Sequence, residues 1–255
     1  MSSVGLVVPA FRPTVEQLSA YVEALDERLS PAAIRIELDD PSEATLHALD
    51  ALDSLPATVN AVPYRRGKGA AITSGFEHLD TDVLAFADAD GATPAASVEA
   101  VVAPLLDGTA DIAVGSRRHP DATVVSHQTH ARRRMGDAFA WLARGLLDVD
   151  LYDFQCGAKA ITAEAWGEVR KHLYEPGFAW DVEFIAMGGA LGYPLVEVPV
   201  TWHDQPNSTV APVRTATEMA RALFVARHRA LRLQDHRFHR AFPETTTALV
   251  DRDSR

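Results

Sequence analysis

One cysteine, Cys156, stands in the 255 residues, so the chain forms no internal disulfide and no multi-cysteine zinc site. Lysine is almost as scarce: of 24 basic residues only Lys68, Lys159 and Lys171 are lysines. Long hydrophobic runs are missing too. The most apolar stretch, 136–151, is broken by Asp137, Arg144 and Asp148, so nothing approaches the roughly 18 uninterrupted apolar residues of a membrane helix. The chain begins on an apolar strand pattern without a basic region and a long apolar core, so no secretory signal is visible and a cytoplasmic protein is expected. Positive charge is the minority sign. The net charge of -11 disfavours general nucleic-acid binding, because the phosphate backbone would be repelled over most of the surface. What basic charge there is gathers late: between Gln205 and Arg240 seven arginines face only Glu218 and Asp235, leaving that segment at about +5.

What remains is ordinary globular material, 47% hydrophobic and 23% charged, long enough for one compact domain over 1–240 with a tail, 241–255, expected to fray. Apolar runs at 4–8, 34–38, 58–62, 83–87 and 112–115 predict buried strands. Amphipathic stretches at 14–29, 43–52, 68–79 and 94–106 predict helices between them. The alternation implies an α/β layered fold with a mixed, mainly parallel sheet flanked by helices. Beyond Arg118 it loosens into a polar loop through Thr129. Helices are then predicted at 132–147, 163–171, 182–191 and 214–233, with strands at 158–161 and 195–200.

Ligands of such sheets gather outside the carboxyl ends of the strands, and polar clusters fall at four of those ends: 9–12, 39–42, 88–91 and 115–118. Asp88 and Asp90 follow a strand with Gly91 next, placing two carboxylates where they would hold Mg²⁺ or Mn²⁺ against a diphosphate. Alone, the pair reads equally as a polar turn or helix cap. Asp39 would accept hydrogen bonds from a nucleobase or ribose, or else belong to an Asx turn. Arg65 to Gly69 open a helix whose amides, with Lys68, would meet a phosphate. The segment has neither the Walker spacing nor the dinucleotide Gly-x-Gly-x-x-Gly pattern, so the usual ATPase and dehydrogenase signatures are absent. Arg117, Arg118 and the triplet Arg132, Arg133, Arg134 place five guanidiniums around one loop, suited to bidentate phosphate binding or to a solvated face. Asp181 starts a helix, as a cap or as a carboxylate facing a reacting centre. Cys156 reads as a small buried hydrophobe, and the ten histidines show no ligand spacing.

Taken in order, Val7-Val8-Pro9-Ala10-Phe11, Asp39-Asp40-Pro41-Ser42, Gly67-Lys68-Gly69, Asp88-Ala89-Asp90, Gly115-Ser116-Arg117, Gln155-Cys156-Gly157-Ala158-Lys159 and Trp180-Asp181-Val182-Glu183 resemble family 2 glycosyltransferases. Within that family they resemble the dolichyl-phosphate hexose synthases, the glucosyltransferase branch above all, over roughly 4–210. Mannosyl relatives usually carry Gln where Ala92 stands, and the arginine-bearing loop that the family has before the serine is absent here, where the sequence is Gln205-Pro206-Asn207-Ser208.

The resemblance implies a Rossmann-like glycosyltransferase A-type fold over a single catalytic domain, a divalent metal, and inverting transfer of a hexose from a nucleotide sugar to a polyprenyl phosphate. UDP-glucose is the favoured donor and GDP-mannose the next. Pro9, Asp39 and Lys68 would line the nucleotide pocket. Asp88 and Asp90 would bind metal and diphosphate, and Arg117 with Arg132, Arg133 and Arg134 would hold the acceptor phosphate. A sugar-hydroxyl acceptor would instead need a base, for which Asp181 is the candidate. A catalytically silent nucleotide-sugar binding protein is the alternative of another class. A lipid acceptor implies peripheral membrane contact at the cytoplasmic face. The helix around Phe139, Trp141, Leu142, Leu146 and Leu147 would make it, with the arginine-rich segment containing Arg221, Arg227 and Arg229.

Overall fold

The computed structural model describes residues 2–52, 55–125, 130–203, 212–236 and 246–252, with side chains except at 130–135 and 212–217. The first half follows the predicted alternation: β1 (Val4–Phe11), α1 (Val15–Leu29), β2 (Ala33–Asp39), α2 (Glu43–Asp50), β3 (Thr58–Val62), α3 (Lys68–Glu77), β4 (Val83–Ala87), α4 (Ala95–Leu106) and β5 (Ile112–Ser116). The second half adds β6 (Thr123–Val125), α5 (His130–Leu147), β7 (Ala158–Thr162), α6 (Ala163–Val169), α7 (Trp180–Ala190), β8 (Leu195–Pro199), β9 (Thr201–His203) and α8 (Pro212–Leu233).

Seven strands form one sheet in the order β3-β2-β1-β4-β7-β5-β8, parallel except for β7, which runs antiparallel between β4 and β5. The mixed, mainly parallel sheet is therefore as the sequence predicts. Both faces are covered, as the continuous apolar strands require: β4 and β5 are buried at every position. One core packs α3, α6, α7 and α8 on Phe86, Val114 and Ile161, and the other packs α1 and α4 on Val8, Ile36 and Ala85.

Strand β1 extends three residues past the predicted end, through Pro9. It pairs with β2 as far as Phe11 but with β4 only as far as Val7. One side of Pro9–Phe11 is thus unpaired, which is where a residue without an N–H is tolerated in a sheet. Because the chain winds from β1 out to β3 and returns to β4 on the other side, a crevice opens at this switch point.

Two features depart from the sequence reading. The polar loop after Arg118 contains β6, which pairs in parallel with β9 as a separate two-stranded sheet. Within the tail expected to fray, residues 246–252 instead pack on the body. Ala248 and Leu249 are buried, the Leu249 N–H donates to the Leu173 carbonyl, and Arg252 donates to the Tyr174 carbonyl. Burial of the two side chains supplies the apolar contact that a polar tail lacks.

Candidate active site

The Asp88–Gly91 turn leaves β4 at the crevice and is held from several sides. The Asp88 N–H donates to the Gly157 carbonyl at 2.9 Å, Gln17 donates to the Asp90 carbonyl at 2.6 Å, and the Ala92 N–H donates to Asp90 Oδ1 at 3.0 Å. Gly91 adopts φ +66°, a conformation that glycine alone enters at little cost. Gly157 is required for a different reason, since a β-carbon there would collide with the Asp88 carboxylate. Burial raises the Asp90 pKa, and repulsion from Asp88 raises it further. Two hard-oxygen ligands that repel one another, with an edge of the pair open to solvent, suit a divalent cation that keeps room for further oxygen ligands. Among the described residues no third His, Cys, Asp or Glu joins them.

Lys68 opens α3 and reaches across the crevice. Its Nζ lies 2.9 Å from Asp88 Oδ1 and 3.0 Å from Asp181 Oδ2. Burial would lower the Lys68 pKa, but Asp181 and Asp88 more than reverse this and hold it above the ordinary lysine value. The preceding residue, Gly67, takes φ +98° and donates its N–H to Asp39 Oδ2 at 2.9 Å. Arg66 Nε donates to Asp39 Oδ1 at 2.8 Å while its Nη1 pairs with buried Glu37. Asp39 is thus tied to the start of α3, and Lys68 ties Asp88 to Asp181, while Pro9 stands in β1 opposite Glu37 of β2.

Asp181, the candidate base, has both of its oxygens ion-paired. It sits in the first turn of α7, whose N-cap is Ala179, and it is buried at 2% exposure. Its Oδ1 takes a 2.5 Å bond from Lys159 Nζ, and its Oδ2 pairs with Lys68. Burial alone would raise this carboxyl, yet Lys159 and Lys68 hold it below the ordinary carboxylate range.

Arg117, expected to await an acceptor phosphate, is engaged by buried Asp153 through its N–H and Nε on Oδ2 and its Nη2 on Oδ1. Burial would raise the Asp153 pKa, but Arg117 keeps it well below the usual range. Arg118 is paired with Asp137. Arg132, Arg133 and Arg134 belong to α5, but their side chains lie outside the described residues, as does the loop around Ser208. Cys156 is fully buried, and burial pushes its thiol up to about 11, consistent with the apolar reading.

The ion pairs behind these residues were not read from the sequence: Arg66 with Asp39, Asp153 with Arg117 and Lys159 with Asp181, with Glu37 holding Arg66 in turn. The available signal was Lys159 itself, one of three lysines, on an apolar strand.

A mainly parallel sheet with its switch point between β1 and β4, and an acidic pair at the end of the central strand β4, is the arrangement of the glycosyltransferase A-type fold. A family model, Glycosyl transferase family 2, matches residues 14–156, and the chain belongs to that family. Glycosyltransferase AglD of Haloferax volcanii is 28% identical over 232 residues, covering 83% of this chain and 35% of the relative. Dolichyl-phosphate beta-glucosyltransferase of Mus musculus is 29% identical over 198 residues, covering 76% and 61%. The Homo sapiens protein of the same name is 30% identical over 171 residues, covering 65% and 53%. The chain thus spans between about a third and three fifths of these relatives. Among solved structures, glucosyl-3-phosphoglycerate synthase from Mycobacterium tuberculosis, crystallised with Mn²⁺, UDP and phosphoglyceric acid, superposes with a TM-score of 0.63. At 17% identity, covering 96% of this chain and 80% of that one, it shares the fold.

Proposed function

We propose that the chain moves a hexose, glucose from UDP-glucose first and mannose from GDP-mannose next, onto dolichyl or another polyprenyl phosphate with inversion at the anomeric carbon. The observation that carries this reading is the state of Asp181. With both oxygens ion-paired and the side chain buried, it is poorly placed to take a proton from a sugar hydroxyl. A phosphate monoester needs no such base, because its second pKa near 6 leaves it largely dianionic at neutral pH. The names of the curated relatives point the same way.

In the reaction the acceptor oxygen attacks the anomeric carbon and the bond to the nucleoside diphosphate breaks, its electron pair leaving with the diphosphate. Pro9 and Asp39 would bound the nucleotide, and Lys68 would face its phosphates from a fixed position. Asp88 and Asp90 would hold Mg²⁺ or Mn²⁺, which when bound supplies charge stabilisation on the leaving diphosphate. Asp90, Arg117 and Asp181 keep distinct parts: ligand, organiser of the acceptor loop, and anchor of Lys68. The arginines of α5 would receive the acceptor phosphate, with Arg117 shaping the loop beside them.

No described helix is long and apolar enough to cross a membrane. In this reading the surface of the described domain would itself touch the lipid, at the cytoplasmic face. Trp141 and Phe224 are exposed at 71% and 57% and Arg221 is exposed beside Phe224, which suits an interfacial patch. Leu147 is buried and Phe139, Leu142 and Leu146 pack on the core, while Arg227 donates to the Leu146 carbonyl and Arg229 pairs with Glu183. Those side chains, expected at the membrane, serve the interior instead.

The test is incubation of purified protein with Mn²⁺ or Mg²⁺, polyprenyl phosphate and a panel of radiolabelled UDP and GDP sugars, counting label in the organic phase. Donor-specific transfer is expected. Transfer to soluble glycans alone would replace the reading with hydroxyl extension, and donor binding without turnover under any acceptor would replace it with the silent binding role.

A further inference from the structure

A lysine buried at 1% in the core of the sheet demands an explanation, because an unpaired ammonium in such a place is strongly unfavourable. Lys159 lies in β7, opposite Phe86 of β4, and its Nζ donates to the Cys156 carbonyl at 2.8 Å and to Asp181 Oδ1 at 2.5 Å. Lys68 approaches Asp181 at its other oxygen. Its Nζ is 3.0 Å from Asp181 Oδ2, and the two ammoniums stand 5.0 and 5.5 Å from the centre of the Phe86 ring. The result is a row of alternating charges, Lys159, Asp181, Lys68, Asp88. Side-chain exposure rises along it from 0% at Lys159 through 3% and 10% to 36% at Asp88.

We propose that Lys159 is a positioning residue: acting through Asp181, it fixes the Lys68 ammonium at the mouth of the donor site. Each Asp181 oxygen has one cation. With the inner oxygen satisfied by Lys159, the outer one holds Lys68 without drawing it inward, and Lys68 remains shared with Asp88 at the surface. Remove Lys159 and Asp181 becomes a buried carboxylate with a single counter-charge. Lys68 is then pulled toward it and away from the place where a donor diphosphate would bind. The proposal rests on the donor-site reading above, in which Lys68 faces the nucleotide phosphates.

A double-mutant cycle on the full chain separates this from mere structural support, because two residues acting through one group give non-additive effects. Binding of UDP and UDP-glucose, with Mn²⁺ present, is measured by calorimetry for the parent, Lys159→Met, Lys68→Met and the double variant, each checked for a native circular dichroism spectrum. Lys159→Met is expected to weaken UDP binding about tenfold when Lys68 is present and less than about twofold when it is already Met. Equal losses in both backgrounds, or no loss in either, would overturn the proposal while leaving the donor-site reading intact. No change on Lys68→Met would remove both. If Lys159→Met does not fold, Asp181→Asn takes its place in the cycle, and its effect must likewise vanish in the Lys68→Met background.

Discussion

Two acidic regions meet at the crevice, the Asp88–Asp90 turn after β4 and the Asp181 turn that starts α7, and their environments push in opposite directions. At the first, burial and a neighbouring carboxylate raise the Asp90 pKa. At the second, two lysine ammoniums overcome the effect of burial and hold Asp181 low. The same residue type is therefore under-neutralised at one place and fully neutralised at the other. An under-neutralised pair is a receptor for a cation, whereas a neutralised carboxylate is part of the scaffold. Counter-charge, rather than the carboxylate itself, separates the two parts.

The sharpest way to break that comparison is to replace each carboxylate by its amide. Asp90→Asn is expected to lower hexose transfer by about 10²- to 10³-fold, the range seen when one group stabilising developing charge is lost. It should also abolish Mn²⁺ binding in a titration. Full transfer by the variant would remove Asp90 from the site. Next in size is Asp181→Asn, expected to destabilise the fold by about 3 kcal/mol in urea unfolding, because it leaves Lys159 and Lys68 without their shared anion. Combining it with Lys159→Met should cost less than the sum of the single changes. Additive losses would mean that the two residues do not act as a unit.

Much of the frame was legible because it depends on local pattern. Wholly buried strands such as β4 and β5 read as continuous apolar runs, and the crevice followed from where polar residues cluster at their ends. The short strands β6 and β9 escaped, since three residues each, with β6 wholly exposed, carry no periodic signal. The charge partners escaped for another reason. Arg117 with Asp153 and Asp181 with Lys159 are 36 and 22 residues apart, and only the antiparallel insertion of β7 brings the second pair together. A free guanidinium and one already engaged look the same in a sequence.

Acidity should reveal the scaffold carboxylates next. Asp153 and Asp181 have folded pKa values below the unfolded value of about 3.9, so their contribution is fully present above that value and is lost as pH falls through the folded values. Urea midpoints should therefore drop as pH is lowered below about 4, and Asp153→Asn should flatten that drop. An unchanged slope in the variant would show that the Arg117–Asp153 pair contributes nothing to acid sensitivity.

The smallest effect is the most discriminating, because only its sign matters. Asp90 has a raised folded pKa, so its ionised form is less favourable in the fold than in the unfolded chain, and at neutral pH it costs stability. Asp90→Asn should therefore stabilise the metal-free protein, by less than about 1 kcal/mol because the open edge of the turn lets water screen the repulsion. The gain should shrink as pH falls through the raised folded value and be gone below the unfolded value near 3.9, where the parent carboxyl is protonated in both states. One substitution would then cost most of the activity while raising the urea midpoint, and its counterpart at Asp181 would lower that midpoint. Destabilisation by Asp90→Asn at neutral pH would mean that the Asp88–Asp90 turn is already neutralised within the protein, and the contrast with α7 would fall.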